Sequence, residues 1–144
     1  MTRGYVVDAN VVLTALMNHP LAAKAGALFD RARRPGDLRL LAPALLHVEV
    51  ANGLWSYARH AVLDPDRTRI RLRVALQLPI RTVSVRLLVV SGLELALSRG
   101  ITVYDALYGA LARAEGLPLV TLDRRLLEAL PAAGVAVVSL ADLS

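Results

Sequence analysis

The chain has 144 residues, 56% of them hydrophobic, 4% aromatic and 20% charged, which excludes a disordered polymer and points to one self-folding domain with a core of Leu, Val and Ala. It contains no cysteine, which excludes a disulfide framework, a thiolate metal site and a cysteine nucleophile, and which fits a cytoplasmic protein. Its net charge of +5 comes almost wholly from arginine, Lys24 being the one lysine; either a polyanionic partner or the codon usage of a GC-rich or thermophilic source accounts for that.

In chain order, residues 4–8 read as a short buried strand, and a helix is expected from Val11 to Met17. His19-Pro20 breaks it, and "LAAKAGALFDRARR" then places Leu21, Ala25, Leu28 and Ala32 at helical spacing. The turn "RPGD" leads to a second strand, "LRLLAP", and a helix from Ala44 to His60. After "LDPDR", Asp66 is the expected N-cap of a helix over Arg67 to Leu78, ended by Pro79. "IRTVSV" reads as the third strand, and a helix from Arg86 to Ser98 stops at Gly100. Thr102 opens a helix to Glu115 with Gly116 as its C-terminal glycine. "LPLVTLD", a short helix from Arg124 to Leu130 and the strand "VAVVSL" close the chain. Strands alternating with helices predict an α/β layer fold on a mainly parallel sheet, in a single domain over residues 1–144. The N-terminus lacks the long apolar run of a signal peptide, and no apolar stretch reaches the roughly 18 residues needed to span a bilayer, so no membrane association is expected.

Chemistry concentrates in four acids. Parallel sheets bind ligands outside the carboxyl ends of their strands. Asp8 and Asp123 each end a predicted strand there, Asp105 lies in the first turn of the helix opened by Thr102, and Glu49 sits between Val48 and Val50 in an apolar helix. Taken singly, each has a plain structural role. Asp8 or Asn10 could cap the helix that follows, and Asp123 could cap the helix at Arg124. Thr102 and Asp105 resemble a capping box, and Glu49 could point outward or pair with Arg59 or Arg81. Taken together, four converging carboxylates cannot all remain charged without a cation. Oxygen-only ligands select Mg2+ or Mn2+. His19, His47 and His60 have no zinc-motif spacing.

Four stretches carry a family resemblance: "VVDANVVL", "LLHVEVANGL", "ITVYDALYGALARAEGLPLVTLDRRL" and "GVAVVSL". In order, spacing and total length the chain resembles the PIN-domain ribonucleases, most closely the VapC-type toxins of toxin–antitoxin modules. The resemblance implies a three-layer α/β/α sandwich. It also implies a metal-dependent endoribonuclease with Asp8, Glu49, Asp105 and Asp123 as catalytic and metal-holding residues, Asp8, Asp105 and Asp123 being the main ligands. Asn10 and Thr121 would orient those ligands. His47 stands where relatives often carry a small residue. A homodimer and a cognate antitoxin are further expectations, with a stand-alone RNA-processing nuclease, or an RNA- or antitoxin-binding protein without catalysis, as the alternatives.

RNA phosphates near such acids need cations on the rim. Candidates are Arg124 and Arg125, which follow Asp123 directly, then Arg31, Arg33 and Arg34, and the helical run Arg67, Arg69, Arg71 and Arg73, which also reads as a solvated helix face. The apolar stretches "LLHVEVANGLW" and "VRLLVVSGLELAL", with Trp55, suit a core or a partner surface. Asn10 stands where an Asp-x-Asp phosphatase needs its second acid, "DANVVL" lacks the glycine-rich turn of a dinucleotide fold, and no G-x-S-x-G elbow occurs.

Overall fold

A computed structural model describes residues 3–144. The run after Arg3 forms β1 (Gly4–Val7), with Val6 and Val7 fully buried, and α1 (Ala9–Leu16) begins two residues earlier than the apolar spacing predicts. Asp8 is therefore the hinge between strand and helix, and Asn10 lies inside the first helical turn. Then follow α2 (Ala22–Arg33), β2 (Arg39–Pro43) and α3 (Leu46–Arg59). The next helix, α4 (Pro65–Leu76), corrects the predicted cap: Asp64, not Asp66, accepts the Arg67 N–H at 2.8 Å. Pro65 occupies the first helical position, where its fixed φ suits a helix and its missing N–H costs nothing. Asp66 instead pairs with Arg69 at 3.0 Å.

The third strand shrinks to β3 (Arg81–Val83), and the helix expected from Arg86 divides into a 3-10 turn, Val85–Leu87, and α5 (Val89–Arg99), closed by Gly100 at φ 67°. α6 (Val103–Glu115), β4 (Leu119–Thr121), α7 (Arg124–Ala129) and β5 (Val137–Ser139) complete the elements. The strands pair in parallel in the order β3-β2-β1-β4-β5.

That order positions the site. The chain winds outward from β1 through β2 to β3, then crosses back over β1 to β4 and continues to β5. The winding reverses between β1 and β4, and right-handed crossovers put α1 to α4 on one face and α5 to α7 on the other. The contacts agree, with α1 packed on α2, α3 and α4, and α5 packed on α6. The core between these layers is aliphatic, with Tyr108 and Phe29 its largest fully buried side chains. The two long apolar stretches divide between core and surface. Leu46, Val50, Leu54, Leu88 and Leu95 are buried, whereas Val48, Trp55, Leu87, Val90 and Leu97 are exposed. Among the described residues no helix is long and apolar enough to cross a membrane.

Candidate functional site

β1 delivers Asp8 to the carboxyl edge of the sheet at the reversal between β1 and β4. Asp8 holds the N-cap position of α1 with extended backbone, yet its side chain makes no capping bond to that helix. It is 7% exposed and is held by two other side chains instead: Thr121 Oγ1, from the end of β4, donates to Oδ2 at 2.8 Å, and Asn10 Nδ2, from the first turn of α1, donates to it at 3.3 Å. Asn10 also donates to Thr121 Oγ1 at 3.2 Å and accepts the Leu122 N–H at 3.2 Å, while Thr121 Oγ1 accepts the Asp123 N–H at 3.0 Å. These bonds fasten the end of β4 to the start of α1. Burial pushes the Asp8 carboxyl up to about 7, against the Thr121 hydrogen bond, and the charges of Asp105 and Glu49 push the same way as burial.

Asp105 and Asp123 approach from the other side. Thr102 caps α6 by accepting the Asp105 N–H at 3.2 Å, so Asp105 spends its backbone, not its carboxylate, on the cap. Asp123 lies two residues beyond β4 and caps α7, accepting the Arg125 N–H at 2.9 Å. The Arg125 guanidinium lies 3.4 Å from Asp123 Oδ2 and 3.9 Å from Asp105 Oδ2, bridging the two acids. Burial raises the Asp105 carboxyl and the Asp123 charge adds to it, opposed by Thr102 and Arg125.

Glu49 lies in the first turn of α3 and, among the described residues, pairs with no arginine: the Tyr108 hydroxyl donates to its Oε1 at 2.5 Å. Arg59 stacks over Trp55 at 5.4 Å from the ring centre, and Arg81 is exposed on β3. Glu49 is raised by burial and by the Asp105 charge, against the Tyr108 bond. Burial, then the bond and charge of Glu49, keep the Tyr108 hydroxyl protonated and so a donor. In the sequence Tyr108 belongs to the Tyr-Asp-Ala-x-Tyr stretch that carries the family resemblance, but no role attaches to it there. The signals that mark it are its place three residues after Asp105, on the same face of α6, and the need of a buried phenol for a partner.

A recess of about 350 Å³ opens beside Asp105 and Arg125, lined also by Arg99, Thr102 and Glu128. Another of about 330 Å³ opens beside Glu49, lined by Leu45, Val48, Asn52 and Tyr104. A larger cavity of about 490 Å³ between α2 and the C-terminal residues contains none of the four acids. The donor chemistry suits a hard divalent cation: four carboxylates at one sheet edge, oxygen donors throughout, with a guanidinium standing between two of them. Among the described residues no three acidic or histidine side chains are gathered closely enough to hold one ion in this arrangement.

The other predicted cations lie in several places. Arg124 is exposed at the start of α7, on the acidic edge. Arg31, Arg33 and Arg34 end α2 at the amino edge of the sheet, Arg31 and Arg34 on Asp37 and Arg33 on Asp30. The structure does not bring them to the acids. On α4, Arg67 pairs with Asp64, Arg71 donates to the Leu16 carbonyl at 2.8 Å, and Arg73 is exposed. His19 accepts the Leu21 N–H at 3.0 Å, His60 lies 2.8 Å from the Ser56 carbonyl, and His47 is half-buried on α3.

A parallel α/β/α sandwich with carboxylates at its winding reversal is the architecture of a class of acid-site proteins. The chain belongs to the PIN domain family, whose model matches residues 5–131. It is 34% identical over 129 residues to Ribonuclease VapC3 of Pyrobaculum aerophilum, an alignment covering 88% of this chain and 95% of that one. The crystal structure of PAE2754 from Pyrobaculum aerophilum is similar at a TM-score of 0.69 and 29% identity, covering 98% of this chain and 93% of that one. VapBC2 from Rickettsia felis, solved bound to a DNA fragment from its promoter, shares the fold at a TM-score of 0.65 and 15% identity, covering 94% and 98%.

Proposed function

We propose that the protein is a metal-dependent endoribonuclease that hydrolyses RNA phosphodiester bonds in the cytoplasm, as the toxin of a toxin–antitoxin module. One observation carries this reading: carboxylates from four separate segments, Asp8, Glu49, Asp105 and Asp123, share the sheet edge where the winding reverses, and burial with neighbouring negative charge raises three of them, Asp8, Glu49 and Asp105. Membership of the PIN domain family and identity to a VapC ribonuclease support RNA as the substrate.

Asp8, Asp105 and Asp123 would hold Mg2+ or Mn2+, and Glu49 would complete the set. When bound, such an ion supplies Lewis acidity toward a scissile phosphate and its attacking water. Thr121 and Asn10 fix the Asp8 carboxylate so that it faces the crevice in one orientation. Arg124 and Arg125 offset the repulsion between the acids and incoming phosphates. The exposed apolar side chains of α3 and α5, Val48, Trp55, Val90 and Leu97 among them, suit a homodimer contact and a cognate antitoxin.

The test is cleavage of total cellular RNA with Mg2+ or Mn2+ and sequencing of the new ends. Discrete cuts, abolished by a chelator, are expected. RNA binding without cleavage under either metal would leave a binding protein in place of an enzyme.

A further inference from the structure

We propose that Tyr108 is a positioning residue for Glu49: its hydroxyl holds one carboxylate oxygen so that the other is presented to the bound cation. The proposal rests on the metal-dependent reading above and assigns a residue to that site.

Tyr108 is fully buried in the middle of α6, between Leu107 and Gly109, both buried. Its hydroxyl crosses to another element, α3, and donates to Glu49 Oε1 at 2.5 Å. Among the described residues it is the one side chain that bonds the Glu49 carboxylate. Glu49 is only half-buried and borders the recess lined by Val48, Asn52 and Tyr104, so without this bond its three side-chain torsions are free to swing the carboxylate outward. A charge-assisted O–H to carboxylate bond of this length is among the stronger ones proteins make. Occupying Oε1 leaves Oε2 as the oxygen with no side-chain donor among the described residues, and the Asp105 charge acts on this carboxylate. The same helix carries Asp105, three residues earlier and anchored by Thr102. One rigid helix therefore holds Asp105 directly and Glu49 through Tyr108, which fixes the separation of the two acids.

A plainer role is that the buried phenol needs an acceptor and Glu49 supplies it. The two roles differ in what Tyr108→Phe does. Removal of a group that orients a metal ligand costs about 10-fold or more in metal affinity. A purely structural bond lowers Tm and leaves affinity unchanged. The measurement is the Mn2+ dissociation constant from free-Mn2+ electron paramagnetic resonance, with Tm, for wild type, Tyr108→Phe, Glu49→Gln and the double variant, and with para-aminophenylalanine at position 108 restoring a donor on an intact ring.

Tyr108→Phe should weaken Mn2+ binding about 10-fold, the amino analogue should recover most of that loss, and Tyr108→Phe should add nothing in the Glu49→Gln background. The proposal is overturned if Mn2+ affinity is unchanged or tighter in Tyr108→Phe, if the amino analogue binds as weakly as Phe, or if the loss persists without the Glu49 carboxylate. Should wild type itself bind no Mn2+, the metal-dependent reading fails and takes this proposal with it, an outcome distinct from the variants alone behaving like wild type.

Discussion

Asp8 shows how much one residue's surroundings decide. In the sequence it is a charge with no basic neighbour between Arg3 and His19, and among the described residues its only side-chain donors are a hydroxyl and an amide. Burial leaves its carboxyl at about 7 against an ordinary 3.8. Between those values the folded chain keeps a proton that the unfolded chain has lost, so this group's contribution to stability is full below the lower value and falls as pH rises through the window. Thermal melts of the chelated protein should show Tm declining across that window, and Asp8→Asn should remove that part of the decline. A wild-type-to-variant difference that does not change with pH would contradict it.

Arg125 acts directly on two of the other acids. Its guanidinium bridges Asp105 and Asp123 and so competes with any other cation there. Exposed ion pairs are weak, so Arg125→Gln should tighten Mn2+ about two- to five-fold while raising KM for RNA. Arg124→Gln, which removes the same charge from outside the bridge, should raise KM alone. Titrations of both variants with Mn2+ decide it.

At the scale of elements, β1 and α6 hold the site in place. β1 approaches β2 so closely that a Cβ on Gly4 would sit 2.7 Å from the Arg39 carbonyl oxygen, a backbone atom within the sheet. Gly4→Ala should therefore cost about 1–3 kcal/mol through overpacking. Gly26 lies in the interior of α2, where an added Cβ would meet nothing within 4 Å, and should gain about 1 kcal/mol as Ala. Opposite shifts in Tm are the expected result; shifts of the same sign would contradict the packing described.

The elements also show where sequence reading reaches its limit. Alternation of strand-like and helical runs locates all five strands and the long helices, because periodicity survives without knowledge of neighbours. Boundaries do not survive as well. Leu122 and Asp123 look like the end of a strand, but the Asn10 side chain takes the Leu122 N–H and Asp123 turns the chain into α7. The Asp64 cap is legible from Pro65, and the expectation at Asp66 falls two residues late. Tyr108 is hidden because its role lies in a contact with a residue 59 positions away, which no local pattern encodes.

For the whole molecule, a net charge of +5 says little until the arginines are placed. Arg31, Arg33 and Arg34 are paired with Asp37 and Asp30 at the amino edge, away from the acids, while Arg124 and Arg125 flank them. Each phosphate contact to single-stranded RNA contributes about 0.7 to the slope of log affinity against log salt. Arg124→Gln should reduce that slope by about 0.7, whereas Arg33→Gln should leave it unchanged. Filter binding across a salt series measures both, and a reduced slope for Arg33→Gln would move the RNA path to the opposite edge.

We propose that the carboxylates at the β1–β4 edge form one site that cuts RNA. The most direct test is the initial rate of RNA cleavage in Mg2+ or Mn2+ by wild type, Asp8→Asn and Asp105→Asn, each shown to be folded by its thermal melt. Wild type should cleave, and either substitution should lower the rate about 100-fold or more, as loss of an acid from a metal-assisted centre does. Cleavage at the wild-type rate by both folded variants would mean that these carboxylates are not the RNA-cleaving site.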